Sequence, residues 1–291
     1  MLEPLFTGIC TALVTPFAGD GVDFEALRRL IDRQIEAGVR ALLVCGTTGE
    51  ASTLTEAEWR GALICAVEAA AGKALVIAGT GTNSLKHTLS RARCAQKLHA
   101  DAQLVVTPYY NKTTQEGLVD YFTRVADATA LPVILYNVPS RTGLNMLPGT
   151  AAALGTHPNI RGIKEAGGSL NQIAELIRAT PLPVYCGSDE LAAPALQLGA
   201  QGVISVLSNL CPASMLSLWD AVKKGCAGAA NARQQALSPL NAVLFSETSP
   251  APVKAALGML GLCAPDVRSP LVPVQPQTQE RLRALVPGAR L

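Results

Sequence analysis

The sequence predicts an α/β protein of the (β/α)8 TIM-barrel type with a small C-terminal helical appendage. Three observations predict it. Short apolar runs bounded by Gly or Pro recur eight times along the 291 residues. Helical patterns with recognisable starts separate them, as a parallel sheet requires. Polar residues gather after these runs, while most connections before them are bland, such as Glu36-Ala37-Gly38 and Ala71-Gly72. A barrel of this kind usually takes about 250 residues. A doubly wound open sheet is the rival arrangement, but it rarely needs eight such units.

The expected strands are Gly8–Val14, Ala41–Val44, Ala74–Ala78, Leu104–Val106, Val133–Tyr136, Ile160–Lys164, Val184–Cys186 and Gly202–Val206. Several are apolar throughout, the mark of strands buried on both faces. Asp23 caps a helix over Phe24–Glu36 that stops at Gly38. Thr55 with Glu58 forms a capping box ahead of Trp59–Ala71. Thr114 precedes a helix at Gln115–Ala128, and Ser169 one at Leu170–Ala179. After the eighth strand, helical periodicity continues over Pro212–Lys224, Ala229–Leu244, Pro252–Leu260 and Gln277–Leu285. We therefore expect a barrel over 1–225, with the active site at the C-terminal strand ends, and a helical region packed on it over 226–291.

Composition narrows the function classes. The chain is 49% hydrophobic and 16% charged, which excludes disorder. Its net charge of +2 carries no basic stripe, so neither nucleic acid nor an anionic membrane is an expected partner. The eight Cys have no CxxC spacing and read as reduced thiols. The three His, at 87, 99 and 157, adjoin no Cys or acidic cluster, so no metal site is expected. The N-terminus lacks the basic region and cleavage site of a signal peptide. Leu191–Trp219 is uncharged and long enough to span a bilayer, but Pro194, Gly199 and Pro212 interrupt it. It reads as a helix, a buried strand and a second helix start. The expectation is a soluble, cytoplasmic protein.

In a barrel, chemistry sits where the strands end. Those ends carry Gly46-Thr47-Thr48-Gly49-Glu50, Gly79-Thr80-Gly81, Tyr109-Tyr110-Asn111, Tyr136-Asn137 with Arg141, Lys164-Glu165, and Gly187-Ser188-Asp189. Lys164 alone among the eight lysines ends a buried-looking strand. An amine in a barrel mouth loses solvation, which favours its neutral form and makes it a nucleophile for a carbonyl carbon. The bland alternative is a lysine paired with Glu165 or Asp189 to hold the barrel together. Tyr136, ending the neighbouring strand, is placed to relay protons or simply to pack. Tyr109 and Tyr110 point to opposite sides, one suited to this barrel and the other to a neighbouring subunit. Thr47 and Thr48 lie between glycines, where hydroxyls and backbone N–H groups hold a carboxylate. Arg141 suits a second carboxylate or is only a surface charge. No GK[ST] follows the Thr pair, and Gly79-Thr80-Gly81 lacks the third glycine of a dinucleotide fingerprint.

These motifs together resemble the pyruvate-dependent class I aldolase superfamily, from Gly8 to about Pro273. The residues that carry the resemblance are Gly46-Thr-Thr-Gly-Glu50, Val106-Thr-Pro-Tyr-Tyr-Asn111, Leu135-Tyr-Asn-Val-Pro-Ser-Arg-Thr-Gly143, Gly162-Ile-Lys-Glu-Ala166 and Gly202-Val-Ile-Ser-Val206. Thr47 and Arg141 favour its branch that condenses pyruvate with aspartate semialdehyde, since sialic acid lyases typically carry Ser at the first position and lack the Arg. The resemblance implies an imine between Lys164 and pyruvate, with Thr48 holding the pyruvate carboxylate. It implies a proton relay of Tyr136, Thr47 and Tyr110, the last supplied by a neighbouring subunit. Arg141 would bind the aldehyde's carboxylate, and Gly187 and Ile204 would line the pocket through backbone atoms. It also implies a homotetramer built as a dimer of dimers, with no metal and no organic cofactor.

Departures from the family pattern bear on regulation and substrate. In members inhibited by lysine, a cluster at the subunit interface binds it; the matching positions here are Ala51, Ser52, Glu56, Trp59, Asn83, His87 and Tyr109. Asn83 and Tyr109 remain, but Glu56 and Trp59 stand for two His and His87 for a Glu. Weak or absent lysine inhibition is the expectation, with Glu56 a partial replacement for the lost carboxylate. Gly167 replaces the usual Thr or Ser, and Ser188 the usual acid. Either change fits a paralogue acting on another aldehyde or a sugar acid. A non-catalytic barrel would have lost Lys164 or Tyr136, and both are present.

Overall fold

The computed structural model describes residues 2–286, so 1 and 287–291, which the expected regions 1–225 and 226–291 include, lie outside it. Its strands are β1 (Gly8–Ala12), β2 (Phe17–Ala18), β3 (Gly21–Val22), β4 (Ala41–Val44), β5 (Leu75–Gly79), β6 (Ala102–Val106), β7 (Val133–Asn137), β8 (Ile160–Glu165), β9 (Val184–Cys186) and β10 (Gly202–Ser205). Eight of them close a barrel in the order β1-β10-β9-β8-β7-β6-β5-β4, while β2 and β3 pair separately as a two-stranded ribbon. Every barrel pairing whose register is given is parallel. The expected fold class is therefore the observed one, and the barrel-strand bounds differ from expectation by at most two residues at either end.

The chain divides into two compact units. The first comprises residues 1–8 and 77–204. It contains α3 (Leu85–Lys97), α4 (Gln115–Asp127), α5 (Pro139–Thr142), α6 (Pro148–Leu154), α7 (Leu170–Ala179) and α8 (Ala192–Gln197). Here Ser84, Thr114 and Ser169 each cap a helix through the side-chain oxygen, each contact contributing about 1 kcal/mol. Nothing in the sequence pattern marks α3, because its buried face is made of the small residues Thr88, Ala92 and Ala95. Spaced by four and three, they seat the helix without a stripe of large apolar side chains. The stretch after Tyr136 reads as a loop, yet Pro139 starts the one-turn α5, closed by Gly143 at φ 67°. Proline at a first helical position already has helical φ.

The second unit comprises 9–76 and 205–291. It contains α1 (Phe24–Glu36), α2 (Glu56–Ala70), α9 (Pro212–Lys223), α10 (Ala227–Leu244), α11 (Ala251–Met259) and α12 (Pro276–Leu285). The capping box at Thr55 and Glu58 forms as expected, with both reciprocal bonds made. Leu27, Leu30 and Ile31 of α1 and Trp59 and Leu63 of α2 are fully buried or nearly so. Among the described residues no helix is long and apolar enough to cross a membrane, no disulfide joins the Cys, and no cluster of three metal-ligating side chains occurs.

Candidate active site

The register between β7 and β8 sets the chemistry. Val133 pairs with Ile160, but Ile134 pairs with Gly162, so Arg161 is an extra residue in the ladder. Past this irregularity Tyr136 stands opposite Lys164, and Asn137 opposite Glu165. A one-residue slip would turn each strand-end side chain to the other face; the bulge brings the amine and the phenol to the same one. Lys164 Nζ lies 4.4 Å from the centre of the Tyr136 ring. Both side chains are buried, each residue 6% exposed.

Glu165 faces the other way, toward the helices. Its carboxylate accepts from Asn137 Nδ2 at 2.8 Å, Gln172 Nε2 of α7 at 2.9 Å and the Gly167 N–H at 2.6 Å. Asn137 and Gln172 also bond Asn145. Burial pushes the Glu165 carboxyl upward, and these hydrogen bonds oppose that shift. Glu165 is thus committed to an amide network rather than to Lys164, which answers the first of the two structural pairings the sequence allowed. Alternation along β8 then puts Lys164 on the face opposite the helices, the inner one.

Glycines make room around the amine. A Cβ on Gly187 would lie 2.8 Å from Lys164 Cε and 2.7 Å from Ala166 Cβ, while its N–H bonds the Glu165 carbonyl at 2.7 Å. Only a residue without a side chain lets the end of β9 approach so closely. A side chain at position 187 would therefore displace Ala166 and the Lys164 amine. Gly167 has a comparable reason to be Gly, since a Cβ there would stand 2.6 Å from Glu165 Oε1. The departure at 167 is therefore coupled to how Glu165 folds back. Ser188 precedes a 3₁₀ turn at Asp189–Leu191, and its carbonyl accepts from Cys186 Sγ. Buried by its surroundings, the Cys186 thiol is pushed up to about 12 and stays protonated.

The other candidates of the first unit lie on strands, helices and loops alike. Ile204 lies buried in β10. Arg141 is exposed on α5. Tyr109 is half-buried, whereas Tyr110 is 91% exposed and holds a left-handed backbone, φ 70°. The two tyrosines differ in environment, but they lie past the end of β6 and Tyr110 is left-handed, so strand alternation is not the cause. Asn83 accepts from Asn111 Nδ2 through its carbonyl, and His87 is exposed on α3.

In the second unit Thr47 is exposed and Thr48 buried, both in the turn after β4. Ala51 and Ser52 follow in the same loop, and Glu56 is exposed at the start of α2. Trp59 is fully buried, so at this position the chain has core packing. Sequence reasoning gave Glu50 no role and missed Lys254 and Arg268. Lys254 Nζ donates to Glu50 Oε1 at 2.8 Å, and both side chains are almost wholly out of water. Burial lowers the Lys254 pKa and the Glu50 contact opposes it. Arg268 donates from its backbone to Glu50 and from its guanidinium to Glu58, whose carboxyl falls to about 2 mainly through that bond. A signal was present: Lys254 is a lone charge in Ala251-Pro-Val-Lys-Ala-Ala-Leu257. Removing one partner of a buried pair costs about 3–5 kcal/mol, whereas replacing both is often neutral.

Comparison with known proteins places the chain in a family. The chain is 45% identical over 286 residues to the 4-hydroxy-tetrahydrodipicolinate synthase of Thermoanaerobacter sp. (strain X514), covering 97% of this chain and 96% of that one. It is 46% identical to the synthase of the same name from Geobacter metallireducens, over 97% and 98% of the two chains. The crystal structure of dihydrodipicolinate synthase from Thermotoga maritima superimposes with a TM-score of 0.96 at 42% identity, covering 98% and 99%. Residues 5–289 match the model of the dihydrodipicolinate synthetase family. With a lysine and a tyrosine paired across neighbouring barrel strands and likeness over nearly its whole length, the chain belongs to that family.

Proposed function

We propose that this protein condenses pyruvate with L-aspartate 4-semialdehyde to give 4-hydroxy-tetrahydrodipicolinate, a step toward diaminopimelate and lysine. The observation that carries the reading is the buried Lys164 amine, 4.4 Å from the Tyr136 ring, in a chain of this family. The Lys164 amine adds to the pyruvate ketone and expels water, giving an imine. Loss of a methyl proton gives the enamine, whose carbon bonds the aldehyde carbon. The second substrate's amino group then attacks the imine carbon, closes the ring and returns the lysine amine. One water leaves overall, and no redox partner, metal or organic cofactor enters the balance.

In this reading Thr48 holds the pyruvate carboxylate, and Tyr136, Thr47 and Tyr110 pass the protons. Tyr110 serves a neighbouring subunit: its exposure and left-handed backbone fit a side chain held out for a partner. Arg141 binds the carboxylate of the aldehyde, and Gly187 and Ile204 border the pyruvate. The assembly is a homotetramer of two dimers, acting in the cytoplasm. Residues 1–225 supply the barrel and its site, and 226–291 a helical region packed on it.

Pyruvate followed by borohydride should add one reduced pyruvate to Lys164, located by peptide mass; no adduct would defeat the reading. Turnover with aspartate semialdehyde should exceed that with other aldehydes. The reverse preference would favour the second reading, a related pyruvate aldolase, which rests on Gly167 and Ser188. Lysine inhibition is expected to be weak or absent, because the matching positions carry Trp59 in the core and His87 in place of a carboxylate. Half-inhibition of the initial rate at micromolar lysine would overturn that.

A further inference from the structure

We infer that the buried Lys254–Glu50 pair is a positioning device for the turn that carries Thr47 and Thr48, so that the C-terminal helices set the pyruvate-binding hydroxyls. The inference rests on the assignment of those two threonines to pyruvate. Glu50 ends the Gly46–Glu50 turn and holds a left-handed backbone, φ 51°. A non-glycine residue adopts that conformation only where its surroundings impose it. Both carboxylate oxygens are used: Oε1 accepts from Lys254 Nζ at 2.8 Å, and Oε2 from the Arg268 N–H at 3.0 Å. Phe17 lies beneath both cations, 3.9 Å from Lys254 Nζ and 4.3 Å from the Arg268 guanidinium carbon.

The turn closes tightly on this anchor. The Glu50 N–H donates to the Thr47 carbonyl at 3.1 Å, and Thr15 Oγ1 donates to the Gly49 carbonyl at 2.7 Å. A Cβ on Gly49 would be 3.1 Å from the Cys45 nitrogen, so neighbouring backbone leaves it little space. Thr47 and Thr48 are therefore carried on a loop whose far end is held by the Lys254 side chain of α11 and by the Arg268 backbone N–H before α12. A buried ion pair is weak evidence of stabilisation, since desolvation offsets its attraction. What it supplies that a packed apolar pair would not is direction, because two donors approach one carboxylate along set lines.

The test uses the full-length protein with Lys254→Met, and with Lys254→Met combined with Glu50→Gln. The single change leaves a buried carboxylate without its cation and is expected to lower Tm. The double change removes both charges at similar volume and should melt close to the unaltered protein. Its half-saturating pyruvate in borohydride trapping should nevertheless rise by about 10- to 100-fold. Complete labelling of Lys164 should remain at saturating pyruvate, with the KM for the aldehyde unchanged. A folded double variant with unaltered pyruvate half-saturation would overturn the inference. So would equal weakening for both substrates, or failure to fold, either of which indicates a purely structural pair. No adduct on the unaltered protein would instead defeat the imine reading, and this one with it.

Discussion

Lys164→Ala is expected to abolish the proposed borohydride-trapped pyruvate adduct and to lower kcat/KM by at least about 10⁴-fold, the scale on which removal of a covalent nucleophile acts. Neither Glu165 nor Cys186 can substitute. Glu165 is bound to Asn137, Gln172 and the Gly167 N–H, and the Cys186 thiol is held protonated by burial. Lys164→Arg is the informative companion. It keeps a cation beside the Tyr136 ring but supplies no nucleophilic amine, because guanidinium does not deprotonate in proteins. Both variants should bind pyruvate without forming the adduct. Turnover within ten-fold of the unaltered protein in either, or a reduced pyruvate on another residue, would show that the reaction does not pass through this amine.

Tyr136→Phe is expected to lower kcat by about 10²- to 10⁴-fold, the usual contribution of a placed proton donor or acceptor. The ring that Lys164 lies against is kept, so the amine stays in place and the loss isolates the hydroxyl. The adduct should still form at saturating pyruvate, but more slowly, and rapid-quench trapping separates its rate from the later steps. A kcat within three-fold of the unaltered value would make Tyr136 a packing residue. A larger loss on changing Tyr136 to Ala than to Phe is expected, because Ala also frees the lysine to wander.

Legibility in the sequence follows the range of the interactions. Thr55 with Glu58, and Ser169 with Gln172, are contacts within one helical turn, and their residue types announce them. Buried strands announce themselves as apolar runs, so the barrel and most of its element bounds were readable. Lys164 was readable because one charged residue at the end of such a run has few reasons to be there. Helix α3 was not, since Thr88, Ala92 and Ala95 give a buried face without large apolar side chains. Lys254 escaped for another reason. Its partner, Glu50, is 204 positions away, and nothing in either segment names the other.

Local composition and periodicity by themselves determined the fold class, several of the helix starts, and the end of the barrel where polar residues gather. These depend on side-chain alternation and capping, which act between near neighbours along the chain. Only the tertiary structure decided which polar residues meet. The extra residue Arg161 sets the register that puts Tyr136 opposite Lys164 rather than one place away. The absent side chain of Gly187 lets β9 close against the lysine, and the Lys254–Glu50 pair joins α11 to the turn after β4. Strand register, backbone approach and buried charge pairing are properties of two segments at once, and no single stretch of sequence carries them.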